Sequence, residues 1–241
     1  MRATSIIYRR ELGSYLRAPI VWVIAAVLLL ADGVFFQAWA LRGEQLSALV
    51  LERYLFVSSF LIGAAGLIFS FRLIAEERQN HSMVLLNTSP VRDHEIILGK
   101  FLAALTFLAI VLALSLYMPL LIMKNGKISG AQILVGYLGL FLFGAVSLSI
   151  GIFASALTKH QFLALVIGAF LLIVLGNIFQ LASKLEPPVR AVVEQSDLWW
   201  VRFQSGFMRG ILNLKDVIFY VGVTYFFLLL GVKTLEAKRW Q

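Results

Sequence analysis

The residues that could perform chemistry in this sequence are few and scattered. Three histidines, His81, His94 and His160, lie in polar stretches, where a solvated imidazole is the usual state. The chain contains no G-x-x-x-x-G-K-[ST] phosphate-binding loop, no H-E-x-x-H zinc motif and no G-x-S-x-G nucleophile motif. Cysteine is absent, which excludes disulfides and thiolate metal sites. We therefore expect no enzymatic activity and no bound cofactor or metal in this chain.

A few polar side chains fall inside long apolar runs, where their burial costs free energy. Asp32 is the most costly, because it lies near the middle of the first apolar run, and Asn177 lies in the fifth. Both are candidates for lining a translocation path, and Asp32 is also a candidate proton site. The alternative for Asp32 is a structural hydrogen bond between helices, or a protonated acid.

The composition indicates that these side chains belong to a membrane protein. Hydrophobic residues make up 60% of the 241 residues, charged residues only 14%, and the mean hydropathy is +0.88. Soluble domains are about 45–50% apolar and about 25% charged, so water could not solvate this chain. The net charge of +8 lies in short segments between apolar runs. That pattern anchors a membrane protein against anionic lipid and does not indicate nucleic-acid binding.

Crossing the hydrocarbon of a bilayer takes about 20 apolar residues in a helix. Five stretches meet this requirement, and a sixth is short but can be extended back to Ile211, so the sequence predicts six transmembrane helices in an all-α integral membrane protein. The predicted spans are Ile20–Leu41, Tyr54–Leu73, Phe101–Met123, Ala131–Leu157, Phe162–Leu181 and Val217–Val232. No polar connection is long enough to build a soluble core, so we expect residues 1–241 to form a single membrane domain. The first span is too long for a cleavable signal peptide, and no small-residue cleavage site follows it.

Basic residues indicate the orientation of the spans. With the N-terminus in the cytoplasm, the inside segments hold twelve basic residues and the outside segments nine, five of them in the single segment 182–216. Because long outer segments count little in this rule, the asymmetry predicts that both termini are cytoplasmic.

Residues 1–19 predict an amphipathic helix that lies in the membrane interface before the first span. At about 100° per residue, apolar side chains fall on one side and arginines on the other. The apolar side holds Tyr8, Leu12, Tyr15 and Leu16, and the basic side holds Arg2, Arg9, Arg10 and Arg17. Ile6 and Ile7 lie off this apolar face. The alternative is a positively charged tail without a helix.

The segment 182–216 carries aromatic residues at helical spacing. Trp199 and Trp200 are followed by Phe203 and Phe207, and tryptophans collect where lipid headgroups meet hydrocarbon. We therefore predict one or two short re-entrant helices between spans 5 and 6. Non-helical backbone at that depth must be covered by protein, so this segment should pack on the bundle or on a partner.

Small residues cluster in the second and fourth spans. Gly63 and Gly66 lie in the second, and Gly136, Gly139 and Gly144 lie in the fourth. Such residues let helices approach closely, either within the chain or at a seam between subunits.

The longest polar interruption in the first two-thirds of the chain is the segment 72–100. It contains Glu76, Glu77, Arg78, then Ser82, then Leu85, Leu86 and Pro90. Ser82 is suited to cap a short helix, and Pro90 would end it. We predict a short cytoplasmic helix between spans 2 and 3 that reorients both spans when it is pushed. The alternative is an ordinary charged loop.

Three motifs resemble the permease subunits of type-2 ABC transporters. The first is Ala75-Glu-Glu-Arg78, followed by Ser82 and Thr88-Ser-Pro-Val91, which resembles their intracellular segment. The second runs from Phe203 to Asp216 and continues with Tyr220 and Leu235-Glu-Ala-Lys-Arg-Trp240, and the third is Tyr8-Arg-Arg-Glu-Leu12 with Tyr15 and Pro19. These two resemble the gliding-motility and copper-maturation branch. His81 and Val84 depart from the family pattern, which leaves the docking contacts open.

The resemblance implies a permease that dimerises with a second copy or a paralogue and binds two copies of a cytoplasmic ABC ATPase. ATP and Mg would be bound by the ATPase, and no cofactor by this chain. The implied coupling residues are Glu76, Glu77, Arg78, Ser82, Leu85, Leu86 and Pro90, and the outer re-entrant helices would contain Trp199, Trp200, Phe203 and Phe207. The location would be the bacterial cytoplasmic membrane, with a periplasmic auxiliary protein as a further candidate partner.

The substrate and two alternative functions stay open at this point. A path with few charges between dimerised helices suits a lipid, glycan or peptide-like substrate better than an ion. The first alternative is a scaffold that transmits force or a signal from an ATPase without moving a substrate. The second is a proton-coupled secondary transporter that uses Asp32.

Overall fold

A computed structural model describes residues 2–43, 46–79, 92–182, 193 and 196–239. Within these ranges every regular element is helical, which confirms the predicted all-α architecture. In chain order the helices are α1 (Arg2–Arg17), α2 (Pro19–Phe35), α3 (Ser47–Ser70), α4 (Arg72–Gln79), α5 (Asp93–Ser115), α6 (Tyr117–Asn125), α7 (Gly130–Leu157), α8 (Gln161–Gly176), α9 (Ile178–Ala182) and α10 (Leu214–Arg239). A π-helical turn over Phe36–Ala40 extends α2, and single turns cover Trp200–Gln204 and Phe207–Arg209.

Five apolar helical stretches in the described ranges are long enough to cross a membrane. They are Pro19–Ala40, Ser47–Gln79, Asp93–Asn125, Gly130–Leu157 and Leu214–Lys238. The fifth predicted span is interrupted instead of continuous, because α8 has 16 residues and ends at Gly176, and α9 starts at Ile178. Glycine and asparagine are poor helix formers, and the Asn177 side chain donates to the Ile173 carbonyl at 2.9 Å.

Helix α7 lies at the centre of the described bundle, where it packs against α3, α5, α8 and α10. It is buried around most of its circumference, as expected for a helix that is apolar on all sides. By contrast, α2 and α10 leave most of their surface exposed. Their apolar outer faces are therefore suited to contact lipid.

Small residues allow α3 and α7 to cross closely. A Cβ atom on Gly66 would lie 2.8 Å from the Cβ of Ser147. The Ser147 hydroxyl donates to the Gly63 carbonyl at 2.5 Å, which adds a hydrogen bond between the two helices. Gly63 and Gly66 therefore mediate packing within this chain, which is one of the two roles that the sequence left open.

Helix α1 covers the predicted N-terminal helix and packs along α5. Tyr15 is buried as predicted, but the packed face differs from the predicted one at two positions, because Ile7 is buried whereas Leu16 is 42% exposed. Ile7 packs against α5 because Gly99 has no side chain there: an added Cβ would lie 2.8 Å from Ile7. The Tyr15 hydroxyl donates to the Phe69 carbonyl at 2.5 Å, so α1 is also attached to α3.

One end of the described bundle carries Glu76, Glu77 and Arg78, and we call it the terminal face. It comprises α1, the ends of α4, α7 and α10, and the starts of α5 and α8. Side-chain contacts between these elements, such as Lys100 with Glu11, Arg78 with Ala156 and Gln161 with Gln79, bring them together.

Replacing Gly66 with leucine should force α3 away from α7. The added side chain would meet Ser147 and the backbone carbonyl of Gly144, and overpacking of this kind costs about 1–3 kcal/mol. Thermal unfolding of the purified protein in detergent should show a lower midpoint. Gly222→Leu is the matched control, because nothing lies within 4 Å of a Cβ at that position. An equal loss in both variants would contradict the packing role of Gly66.

Candidate functional site

The predicted coupling residues divide between α4 and the segment that follows it. Glu76, Glu77 and Arg78 lie in α4 at the terminal face. Ser82, Leu85, Leu86 and Pro90 lie outside the described residues. The structure therefore describes this site through its two stems, which are the end of α4 and the start of α5.

Glu76 points toward solvent. Its side chain is 41% exposed, and its carboxylate lies 3.3 Å from the Nε atom of Arg72, one turn earlier in α4. An exposed pair at this spacing contributes little to stability. Glu76 is therefore accessible to a partner without a large cost to the fold.

Glu77 belongs to a cluster of four charged side chains, Arg10, Glu11, Glu77 and Lys100, which we call the terminal clamp. The Nζ atom of Lys100 lies 2.8 Å from Glu77 Oε1 and 3.1 Å from Glu11 Oε1. The Nη2 atom of Arg10 lies 2.8 Å from Glu11 and 3.4 Å from Glu77. Two cations and two carboxylates thus join α1, α4 and α5.

The electrostatics of the terminal clamp depend on Lys100, whose side chain is only 2% exposed. A buried ammonium group is tolerated only where carboxylates replace its hydration. Burial raises the pKa of the Glu11 carboxyl, but the charge of Lys100 and hydrogen bonds from Arg10 and Lys100 lower it by more. The pKa of Glu11 therefore lies below its ordinary value, and the carboxylate is ionised at neutral pH.

Arg78 binds the C-terminal end of α7. Its Nη1 atom donates to the Ala156 carbonyl at 2.7 Å, and Lys238 of α10 donates to the carbonyls of Ala156 and Leu157 at 3.1 and 2.6 Å. The last carbonyls of a helix have no partner within the helix and carry its negative dipole end. Arg78 therefore attaches α4 to the central helix.

Asp32 is 6% exposed and accepts two hydrogen bonds from α3. The Tyr54 hydroxyl donates to one carboxylate oxygen and the Ser58 hydroxyl to the other, both at 2.7 Å. The Tyr137 hydroxyl is hydrogen-bonded to the hydroxyls of Tyr54 and Ser115, both at 3.0 Å. This network connects α2, α3, α5 and α7.

The Asp32 network agrees with the alternative in which this residue forms structural hydrogen bonds between helices. A cavity of about 20 Å³ adjoins Asp32, Ser58 and Ser115, which is room for about one water molecule. A role of Asp32 on a translocation path or as a proton site stays a prediction. Within the described ranges, no group of three or more histidine or acidic side chains is arranged to hold a metal ion.

Asp197 organises the segment 196–210, which we call the outer module. Its side chain is completely buried. One carboxylate oxygen accepts the backbone N–H groups of Trp199, Trp200 and Val201 at 2.8, 2.6 and 3.2 Å. The other accepts the N–H of Phe179 at 3.0 Å. Asp197 therefore binds the first N–H groups of the turn over Trp200–Gln204 and attaches this turn to α9.

The predicted aromatic residues of the outer module pack against the bundle. Phe203 and Phe207 are completely buried, and a Cβ on Gly139 of α7 would lie 2.5 Å from the Cβ of Phe207. The indole N–H of Trp199 donates to the Ser59 hydroxyl of α3 at 2.8 Å. The outer module thus packs on the bundle of this chain, which is one of the two possibilities that the sequence left open.

An apolar cavity of about 200 Å³ lies between α3, α8 and the outer module, and we call it the aromatic cavity. Its lining comprises Phe56, Phe60, Gly63, Phe143, Leu172, Ile173, Gly176, Asn177, Trp199 and Trp200. The indole N–H of Trp200 donates to the Asn177 side-chain oxygen at 3.3 Å. Of the two predicted path residues, Asn177 lines this cavity and Asp32 does not.

Three residues with central roles in these sites, Glu11, Lys100 and Asp197, are not predicted from the sequence. Asp197 has a local signal, because an aspartate shortly before a helical turn can accept the free N–H groups of that turn. Glu11 and Lys100 have none, because they are 89 residues apart and meet only where α1 lies along α5.

A comparison with family models matches residues 5–232 to a family described as ABC-2 family transporter protein. The match includes α1 from Ser5 onward, both stems, the Asp32 network and the outer module. It agrees with the resemblance to type-2 ABC permeases and does not distinguish the gliding-motility and copper-maturation branch. No curated protein matches the chain.

Replacing Asp197 with alanine should loosen the outer module, because four backbone N–H groups lose their acceptor. Buried donors without a partner cost about 1–3 kcal/mol each. We expect a lower thermal midpoint and a red-shifted tryptophan emission. Asp197→Asn keeps one acceptor oxygen and should lose less. Unchanged unfolding and emission in the alanine variant would show that Asp197 does not anchor the module.

The lowered pKa of Glu11 predicts that the contact between α1 and α5 is sensitive to acid. Its stabilising contribution is complete above the ordinary pKa of 4.5 and is lost as the pH falls through the lower pKa of the folded state. The thermal midpoint should therefore fall more steeply from about pH 5 to about pH 3 in the parent protein than in Glu11→Gln. Parallel pH profiles would argue against this contact.

Proposed function

The chain belongs to the ABC-2 transporter family, and from this premise we propose that it is the permease subunit of an ATP-driven exporter. A separate ATPase would hydrolyse ATP, and this chain would form the path through the membrane. The observation that carries the proposal is the arrangement at the terminal face. There the terminal clamp joins α4 to the start of α5, beside the exposed carboxylate of Glu76.

The proposed coupling route begins at the end of α4. Ser47–Gln79 is one apolar helical stretch that continues from α3 into α4, so a push at its end acts directly on a membrane helix. The ion pair between Glu77 and Lys100 passes the same push to α5. ATP binding would favour one arrangement of these helices over another, as every ligand-driven change requires a difference in affinity.

The proposed coupling residues differ in how they act. In this proposal the exposed Glu76 contacts an ATPase directly, whereas Glu77 acts through the terminal clamp and Arg78 through the end of α7. Ser82, Leu85, Leu86 and Pro90 stay proposed docking residues on the sequence resemblance alone. The proposed partners are two copies of the ATPase, which would bind ATP and Mg, and a second copy or a paralogue of this chain.

The aromatic cavity supports an apolar substrate group. Its lining carries no charged side chain, and Asn177 contributes the one amide. Such a lining suits an acyl chain or the apolar part of a peptide better than an ion, which would lose its hydration there. We therefore propose a lipid, glycan-linked lipid or peptide-like substrate, with Asn177, Trp199 and Trp200 on its path.

The proposed location is the bacterial cytoplasmic membrane, with the terminal face and both chain termini in the cytoplasm. The terminal face carries Arg10, Arg78, Lys100 and Lys238, and basic residues prefer the cytoplasmic side. A periplasmic auxiliary protein is a further proposed partner on the opposite face.

The Asp32 network supports a second candidate function, which is proton-coupled secondary transport. A buried carboxylate between hydroxyl groups, next to a cavity of about 20 Å³, is also suited to exchange a proton. A secondary transporter of this kind would work without an ATPase. Transport by the isolated chain would therefore favour it over the ABC permease.

Replacing Glu76 with alanine should leave the ATPase bound and hydrolysing ATP while it reduces the ATP-dependent change in the permease. The chain has no cysteine, so a fluorophore on Ser205→Cys in the exposed part of the outer module reports that change selectively. We expect the ATP-dependent fluorescence change to fall about fivefold, which corresponds to the lower end of typical coupling energies.

The matched control is Glu236→Ala. Glu236 is 44% exposed and forms a comparable pair with Lys233 at 2.7 Å, and both members of this pair lie in α10. Full response in Glu76→Ala would contradict the role of Glu76. An active parent chain that purifies without any nucleotide-hydrolysing partner would contradict the proposed function itself.

A further inference from the structure

Among the basic side chains whose burial the structure describes, Lys100 is the one that is buried. It lies near the start of α5, where its ammonium group reaches Glu77 of α4 at 2.8 Å and Glu11 of α1 at 3.1 Å. A single side chain therefore joins three helices at the terminal face.

We propose that Lys100 is a positioning residue for coupling, which holds α1, α4 and the start of α5 as one unit. Force applied at the end of α4 then moves α1 and α5 together with it. The inference rests on the proposed function, because it assigns Lys100 a role within the coupling that an ATPase partner would drive.

The packing around α1 makes the terminal clamp the main link between α1 and α4. Helix α1 lies along α5, whereas α1 and α4 are not among the closely packed helix pairs of the described chain. A polar cavity of about 220 Å³ borders both, with Glu11, Tyr15, Arg72, Glu77 and Lys100 in its lining. Charged side chains therefore carry the connection from α4 to α1.

The charge of Lys100 limits the separation of the three helices, which an uncharged side chain of the same volume would not do. A buried ion pair is weak evidence for stability, because apolar side chains of similar size often pack as well. Each carboxylate must, however, stay within reach of the ammonium group, and this limits how far the three helices separate. A methionine at this position would fill similar space without that limit, whereas arginine would keep the charge.

The test uses the complex of this chain with its ATPase subunits in lipid nanodiscs, with a fluorophore on Ser205→Cys. Lys100→Met should leave ATP hydrolysis close to that of the parent complex and reduce the ATP-dependent fluorescence change about fivefold. Lys100→Arg should restore most of that change, which a purely space-filling role would not require.

Thr106→Val is the matched control. It removes the uncharged hydrogen bond at 3.2 Å between Thr106 and Tyr8 of α1 and leaves the terminal clamp intact, so the response should be kept. Lys100→Met keeps that bond and the bond from Tyr15 to Phe69, so α1 should stay attached. If Lys100→Met does not accumulate, Glu77→Gln removes one of the two carboxylates and should also reduce the response.

The outcomes separate the inference from the function on which it rests. A Lys100→Met complex with a full ATP-dependent change overturns the inference alone. An equal loss in Lys100→Met and Thr106→Val also overturns it, because any weakening of α1 would then be sufficient. A parent complex that binds no ATPase, or shows no ATP-dependent change, overturns the proposed function and the inference with it.

Discussion

The cost of burying charge in an apolar bundle is the constraint on which this structure depends. An ionisable side chain loses its hydration there and is tolerated only where other groups replace the lost water. Lys100 meets this requirement with two carboxylates, Asp32 with two hydroxyl groups and Asp197 with four backbone N–H groups. Each of these buried side chains joins separate elements of the described chain.

The three sites share one continuous helical stretch, Ser47–Gln79. Glu77 contacts Lys100 at the terminal face, Tyr54 contacts Asp32 within the bundle, and Ser59 receives the indole N–H of Trp199 from the outer module. The same stretch contributes Phe56, Phe60 and Gly63 to the aromatic cavity. A displacement at its end in α4 therefore has a direct physical route to the cavity, which is what the proposed function requires of this chain.

The fold was largely predictable, because a membrane span is specified by local composition: about 20 apolar residues are needed whatever they contact. The fifth span was predicted less well, since Gly176 and Asn177 interrupt it within an apolar run. The packed face of α1 was also misassigned at Ile7, because periodicity identifies an apolar stripe but not a glycine on the opposing helix. The sequence shows that α4 carries acidic and basic residues. It does not show that Glu76 is exposed, that Glu77 pairs with Lys100 or that Arg78 binds the end of α7.

The sequence by itself determined that this is an all-α membrane protein of the type-2 ABC permease kind, because hydropathy and short motifs act within a few turns of chain. Only the tertiary structure decided which charges are paired and which are accessible. Glu11 and Lys100 are 89 residues apart, and neither could be assigned a partner until α1 was placed along α5. Ion pairs and buried hydrogen bonds form between whichever groups the packed helices bring within about 3 Å of each other, and that proximity is a property of the assembled bundle.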